Sequence, residues 1–162
     1  MLKTTLCYYE RDGRTLMLHR VKKKKDVNHD KWIGIGGKLE LGETPQACML
    51  REFAEETGLT LTKCAYRGVV TFISEEWTEE MHLFSATEAE GTLRACDEGE
   101  LKWVETGELT HLPIWEGDKV FLRLLAMGQP FFHLTLVYEG ERLAGAQLDG
   151  RTLDVKKALG EA

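Results

Sequence analysis

The pattern of apolar and polar positions along this 162-residue chain predicts several β-hairpins. Runs rich in β-branched and aromatic residues recur in pairs separated by short polar stretches, of which Asp12-Gly13 is the clearest turn signal. Hairpin strands are expected at residues 2–9 with 15–21, 61–74 with 80–87, and 131–138 with 142–148. Two further short strands are expected at 31–38, where glycines interrupt the run, and at 100–104.

The first predicted helix spans Pro45–Thr57 and has capping signals at both ends. Thr44 can accept a hydrogen bond from a free N–H group of the first turn, and proline is favoured at the first helical position. Gly58 can adopt the left-handed conformation that ends a helix. At about 100° per residue, the side expected to pack comprises Ala47, Leu50, Phe53, Ala54 and Thr57.

The opposite side of this helix gathers the carboxylates of Glu52, Glu55 and Glu56, with Arg51 at its edge and Cys48 one turn earlier. A solvated acidic surface is one interpretation, since charge runs usually face water. Like charges this close raise one another's pKa unless a cation lies among them, and oxygen ligands suit Mg²⁺ or Mn²⁺. The acidic side therefore predicts a divalent-metal site for phosphate chemistry.

A second amphipathic helix is predicted at 119–127, ended by Gly128 and packed through Val120, Phe121, Leu124 and Met127. Strands that pair locally, with two helices inserted between them, indicate an α+β fold in which a mixed sheet lies between helices. A single domain is expected over residues 1–150. The polar tail, 151–162, is expected to be partly disordered.

Composition and charge narrow the possible partners. With 21 Lys and Arg against 27 Asp and Glu, the net charge of −6 argues against stable binding to duplex nucleic acid. No apolar run approaches the ~20 residues of a membrane span and the N-terminus has no signal-peptide pattern, so a cytoplasmic protein is expected. The four cysteines are widely spaced, which indicates neither a zinc site nor a disulfide framework.

The stretch 37–59 resembles the Nudix box, a pattern of Gly, five residues, Glu, seven residues, Arg-Glu, an apolar residue, any residue, Glu-Glu, any residue, Gly and an apolar residue. Every specified position is filled, by Gly37, Glu43, Arg51, Glu52, Phe53, Glu55, Glu56, Gly58 and Leu59. A chance match in a chain of this length has a probability on the order of 10⁻⁷. The resemblance implies the α/β/α sandwich of the Nudix fold and hydrolysis of a nucleoside diphosphate linked to another group.

The same resemblance implies roles for individual residues. Glu52, Glu55 and Glu56, with the backbone carbonyl of Gly37, would hold Mg²⁺ or alternatively Mn²⁺, while Arg51 would orient the glutamates and Glu43 would brace the loop. Many relatives add a carboxylate from a later loop, a position that Glu98 matches, although an ordinary loop acid is an equal alternative. Glu52 and Glu98 are both candidates for the general base.

The residues that flank the box resemble the MutT-type group, which hydrolyses oxidised purine triphosphates such as 8-oxo-dGTP to the monophosphate and pyrophosphate and so serves DNA repair. That resemblance implies a substrate site formed by Lys38, Ile33, Phe72, Trp115 and Asp118. Close relatives often have Asn where this chain has Ile33, and Ile cannot hydrogen-bond a base, which leaves base selectivity open.

Alternatives remain for both the residues and the function. Trp115 could pack beneath a loop and Asp118 could cap the helix that follows it. The substrate could be another nucleotide, including a dinucleoside polyphosphate or a capped RNA end. A Nudix-fold protein that binds nucleotides without catalysis is a third hypothesis, and the oligomeric state is not predicted.

Overall fold

The computed structural model describes residues 1–26 and 28–160. These residues form nine strands: β1 (Leu2–Arg11), β2 (Arg14–His19), β3 (Trp32–Ile33), β4 (Leu59–Ile73), β5 (Thr78–Gly91), β6 (Glu100–Glu105), β7 (Phe132–Glu139), β8 (Arg142–Leu148) and β9 (Arg151–Leu153). They also form three α-helices, α1 (Pro45–Thr57), α2 (Glu116–Ala126) and α3 (Val155–Ala158), and a 3-10 helix at Thr106–His111. The predicted strands and both predicted helices are confirmed, with altered ends.

The strands form one mixed sheet in the order β3-β2-β1-β5-β4-β7-β8-β9, with β6 also paired to β2. β1 runs parallel to β5 and β4 parallel to β7, while the remaining pairs are antiparallel. β1 and β2 pair beside their turn, over residues 9–11 and 14–16. Beyond it the segment 32–38 lies between them, since β3 pairs with β2 while Ile35 and Lys38 form bridges to β1.

Each face of the sheet carries its own apolar core because side chains alternate along every strand. The α1 face is filled by a cluster that includes Cys7, Leu16, Leu18, Met49, Phe53 and Phe84. The α2 face is filled by a larger cluster that includes Leu6, Tyr8, Val70, Met81, Leu83, Phe121, Leu134 and Leu136. The predicted α+β sandwich, a mixed sheet between helices, is confirmed.

The ends of α1 follow the predicted capping chemistry. Thr44 Oγ1 accepts the backbone N–H of Ala47 at 3.1 Å, and Pro45 is the first helical residue. Gly58 ends the helix with φ of 80° and donates its N–H to the carbonyl of Ala54. The expected packing side was partly wrong, because Ala47 is exposed and Met49 is fully buried.

The second helix differs more from its prediction. α2 begins at Glu116, three residues early, so Asp118 lies inside its first turn and cannot be the N-cap residue. Gly128 has the expected positive φ of 69°, but Met127 is 73% exposed and does not pack. The capping alternative for Asp118 is therefore wrong.

The C-terminal segment is ordered as far as residue 160. β9 extends the sheet beyond β8, and α3 follows it. Arg123 of α2 donates to the carbonyls of Ala158 and Leu159 at 2.7 and 3.0 Å, and Leu159 is buried. The tail, for which partial disorder was expected, thus contains a strand and a short helix within the described residues; residues 161 and 162 lie outside them.

The end of α1 provides a stability prediction. A Cβ on Gly58 would approach the carbonyl oxygen of Thr92 to 2.7 Å, in addition to the cost of the positive φ. A Cβ on Gly140, whose φ is 60°, would meet no atom of the described residues within 4 Å. We expect Gly140→Ala to lower the free energy of unfolding by about 1 kcal/mol and Gly58→Ala by at least about 2 kcal/mol. Urea denaturation measures both, and equal losses would contradict the steric argument.

Candidate active site

Gly36 and Gly37 allow the loop before α1 to lie close to both β1 and the acidic side of the helix. A Cβ on Gly36 would collide with the carbonyl oxygen of Thr5, and a Cβ on Gly37 would collide with the carboxylate of Glu52. The Gly37 carbonyl accepts the backbone N–H of Thr5 at 2.9 Å and faces the thiol of Cys48 at 3.8 Å. Any role of this carbonyl as a metal ligand must therefore use its remaining lone pair.

Arg51 is the centre of an ionic network beneath the acidic side. Its guanidinium bonds both oxygens of Glu43 at 2.7 and 2.9 Å, and it donates to Glu52 at 2.8 Å and Glu55 at 3.3 Å. A further bond reaches the carbonyl of Lys38 at 3.2 Å. The paired guanidinium lowers the pKa of Glu43 to about 2. The guanidinium of Arg51 thus joins the loop before α1 to the helix.

Glu56 is the most deeply placed of the α1 carboxylates. Burial, followed by the charges of Glu52 and Glu98, raises its pKa to about 8, while Arg20 and the backbone N–H of Gly36 act in the opposite direction. Its Oε2 atom is buried and has no hydrogen-bond partner among the described residues. A buried carboxyl oxygen in this state is a destabilising feature that a bound cation would relieve.

Glu98 approaches the same region from the loop between β5 and β6. Its carboxylate pairs with Arg20 at 2.8 Å and with Lys23 at 3.5 Å. Arg20 is also held by Asp26, at 2.6 Å. Sequence reasoning missed Arg20, because one charged residue after a strand gives no signal of an inward direction.

The residues present fit a divalent cation. Glu52, Glu56 and Glu98 offer hard oxygen donors within electrostatic reach of one another, and the unbonded oxygen of Glu56 is available. Glu55 is at the rim, with 58% of its side chain exposed. In the described part of the chain, no three His, Cys, Asp or Glu side chains are already gathered as a metal site. Arg51 and Arg20 instead hold Glu52 and Glu98.

A second group of predicted residues meets on the α2 face of the sheet. Trp115 donates its indole N–H to Asn28 at 2.7 Å, and the Lys31 amino group lies 5.1 Å from its ring centre. The rings of Trp115 and Tyr138 are nearly perpendicular, and the ring centre of Tyr138 also lies 6.3 Å from that of Phe72. We refer to this region, together with the buried Asp118, whose charge acts on Tyr138, as the aromatic pocket.

Two predicted substrate residues lie elsewhere. Ile33 packs against the core of the α1 face, whereas Trp32 beside it packs against the core of the α2 face. Ile33 therefore does not join Trp115 and Phe72, because adjacent residues of a strand point to opposite faces. Lys38 is exposed at the loop, bridged to Thr4 of β1.

Asp118 is buried beside a second carboxyl group, that of Glu79, which was not among the predicted site residues. Burial, and then the charge of Glu79, raise the pKa of Asp118 to about 8, while Lys31 lowers it. Glu79 accepts the hydroxyl of Thr4 at 2.7 Å, and the buried Tyr8 hydroxyl has no partner among the described residues. The signal was present, because Glu79 alternates with Met81 and Leu83 on the inward face of β5.

Comparison with known proteins identifies the class. The NUDIX domain profile matches residues 3–125, and the chain belongs to the Nudix family of hydrolases, which are pyrophosphohydrolases of nucleotide anhydrides. A crystal structure of a mutator MutT protein from Bacillus halodurans is similar with a TM-score of 0.82 and 28% identity, over 92% of this chain and 98% of the other.

Two curated relatives are similar in sequence. An uncharacterised Nudix hydrolase, YvcI of Bacillus subtilis, is 30% identical over 147 residues, covering 86% of this chain and 88% of the relative. The oxidised purine nucleoside triphosphate hydrolase of Danio rerio is 30% identical over 129 residues, covering 78% and 81%. None of the helices within the described residues is long and apolar enough to cross a bilayer.

The buried Asp118 predicts a pH dependence of stability. Its pKa is about 8 when folded against 3.8 for the free side chain. Between these two pH values the native state holds a proton that the unfolded state has released. The contribution of Asp118 to the free energy of unfolding therefore falls as pH rises, by at most about 1.4 kcal/mol per pH unit. It levels off above the folded pKa. Asp118→Asn cannot titrate, so its stability relative to the parent protein should increase from pH 5 to pH 8.

Urea denaturation of both proteins across that range, without added metal, measures the difference. The neutral amide contributes an offset that does not change with pH, so only the slope is informative. A difference that stays constant across the range would show that Asp118 is ionised in the folded protein.

Proposed function

We propose that this protein hydrolyses purine nucleoside triphosphates, with oxidised forms such as 8-oxo-dGTP preferred, to the monophosphate and pyrophosphate. The observation that carries the proposal is the pairing of two sites. The first is the acidic centre on the α1 side, where a buried carboxyl oxygen is bonded by no described residue. The second is the aromatic pocket on the α2 side, with Trp115, Phe72 and the buried Asp118. The similarity to an oxidised purine nucleoside triphosphate hydrolase supports this choice.

In this proposal the acidic centre holds Mg²⁺, or Mn²⁺, through Glu52, Glu56 and Glu98, with Glu55 at the rim and the Gly37 carbonyl as a further donor. The ion supplies neutralisation of the charge that develops on the phosphoryl oxygens. Arg51 fixes the direction of Glu52 through its bond at 2.8 Å. Glu52 and Glu98 are the candidates to accept a proton from the attacking water.

The aromatic pocket would recognise the base. The Trp115 indole offers a surface for stacking, and Lys31 beside it can approach a phosphate or the ring system. Asp118, close to Glu79, can bond to the Watson–Crick edge of a purine. Lys38, exposed on the loop before α1, can meet the phosphate chain.

A nucleotide panel tests the substrate directly. The parent protein is incubated with Mg²⁺ and with 8-oxo-dGTP, dGTP, dATP, dCTP, a dinucleoside polyphosphate and a capped RNA, and phosphate and pyrophosphate are detected separately. We expect pyrophosphate from 8-oxo-dGTP at the highest kcat/KM. Preference for a pyrimidine, a dinucleoside or a capped end would contradict the purine proposal, and binding without turnover would contradict catalysis.

The metal role predicts the effect of one carboxyl group. We expect Glu56→Gln to lower kcat/KM roughly 10²-fold or more, because a ligand is lost. Without metal, its melting temperature should equal or exceed that of the parent, because a buried acidic group among like charges is removed. Glu90→Gln, at an exposed position of β5, is the control and should change neither value. Near-normal turnover of Glu56→Gln would contradict the assignment.

The base pocket makes a separate prediction. We expect Asp118→Asn to change the ratio of kcat/KM between 8-oxo-dGTP and dGTP by about 10-fold or more, since an NH2 group that can only donate a hydrogen bond replaces one carboxyl oxygen. Lys119→Gln changes a neighbouring charge in the same helix and should leave the ratio unchanged. If the Asp118→Asn ratio also stays unchanged, Asp118 does not recognise the base.

A further inference from the structure

Arg20 occupies the acidic centre in a way that the proposed function does not use. Its Nη1 atom lies 2.8 Å from Glu98 Oε2, and its charge also acts on Glu56. Its side chain is only 14% exposed, and so is fixed rather than free in solvent. The guanidinium therefore supplies positive charge to two of the carboxylates that a divalent ion would use.

Arg20 is anchored by a second carboxylate, that of Asp26. Nε donates to Asp26 Oδ2 at 2.6 Å, and the Asp26 side chain is only 8% exposed. The bond to Glu98 involves a different nitrogen and a partly exposed carboxylate. Loss of the Glu98 contact would thus leave Arg20 tethered by Asp26.

The same anchor leads on to the aromatic pocket. Asp26 Oδ1 accepts the backbone N–H of Asn28 at 3.1 Å, and Asn28 Oδ1 accepts the indole N–H of Trp115 at 2.7 Å. A continuous chain of polar contacts therefore runs from Glu98 through Arg20, Asp26 and Asn28 to Trp115. Contiguous networks of this kind can transmit a change between two sites when they have two arrangements.

We propose that Arg20 is a positioning residue that holds Glu98 in the metal-free protein, yields Glu98 to a divalent ion, and transmits the exchange through Asp26 and Asn28 to Trp115. The inference rests on the proposed function for the metal-binding role of Glu98. It adds a residue, and a coupling between the acidic centre and the aromatic pocket, that lie outside the Nudix box.

Competition at Glu98 predicts the direction of the effect on metal affinity. An ion that binds Glu98 must first break a charge-assisted contact with Arg20. Arg20→Gln removes that contact, so Mg²⁺ should bind about tenfold tighter. Lys22→Gln is the matched control, because it removes one positive charge from the same loop while its amino group bonds the carbonyl of Cys96, at 2.6 Å, rather than a carboxylate. Its Mg²⁺ affinity should change less than about twofold.

The test measures Mg²⁺ affinity by calorimetry. It also follows the indole N–H resonance of Trp115 by NMR, assigned with Trp115→Phe, to detect a change in the aromatic pocket. In the parent protein, Mg²⁺ should shift that resonance. In Arg20→Gln the shift should vanish while affinity rises. Asn28→Ala keeps the Arg20 pair and breaks the chain at its last contact, so the shift should vanish with nearly unchanged affinity. This second variant keeps the test valid if Arg20→Gln does not fold.

Three results would overturn the proposal. Weaker Mg²⁺ binding in Arg20→Gln would show that Arg20 supports the ion rather than competing with it. Equal tightening in Lys22→Gln would reduce the effect to general charge. An indole shift that persists in Asn28→Ala would exclude the path. Failure of the parent protein to bind Mg²⁺ would instead contradict the proposed function itself, and no nucleotide is needed for either conclusion.

Discussion

The main electrostatic constraint on this structure is the crowding of carboxylates on one side of α1. Glu52, Glu55 and Glu56 lie within about one turn, and Glu98 is added from a later loop. Two arginines balance part of this charge: Arg51 from within the helix and Arg20 from the end of β2. The negative charge that the arginines leave uncompensated acts on Glu56. Burial and that charge raise its pKa, and its Oε2 atom is bonded by no described residue. The fold tolerates this because α1 is fixed by its caps and by a fully buried Phe53 beneath it.

Residues 32–38 connect the two faces of the sheet. The β1–β2 hairpin opens beyond Tyr9 and Leu16, and residues 32–38 enter the gap. Trp32 then faces the core of α2 while Ile33 faces the core of α1. At two positions of this segment a side chain would not fit as the chain lies, because a Cβ on Gly36 would meet the carbonyl oxygen of Thr5 and a Cβ on Gly37 would meet the carboxylate of Glu52. The acidic centre and the aromatic pocket are therefore joined through the thickness of one strand segment.

Local chemistry explains what the sequence predicted well. Thr44, Pro45 and Gly58 act through their immediate neighbours, so the helix ends could be predicted without knowledge of the fold. Arg20, Glu79 and Ile33 were missed or misplaced because their surroundings are supplied by distant segments. Of the two partners of Arg20, Glu98 lies on the loop that follows β5, and Glu79 meets Thr4 across 75 residues. The early start of α2 has the same cause, since the N–H of Gly117 donates to the hydroxyl of Tyr138, 21 residues further along the chain, rather than to a local cap.

The family profile ends at residue 125, yet the sheet continues through β7, β8 and β9. β7 pairs with β4 in the middle of the sheet, and its Tyr138 contacts both Trp115 and Phe72. One wall of the aromatic pocket is thus encoded outside the segment that carries the chemistry. Exchange of this C-terminal unit between relatives would therefore change one wall of the aromatic pocket while every residue of α1 stayed the same.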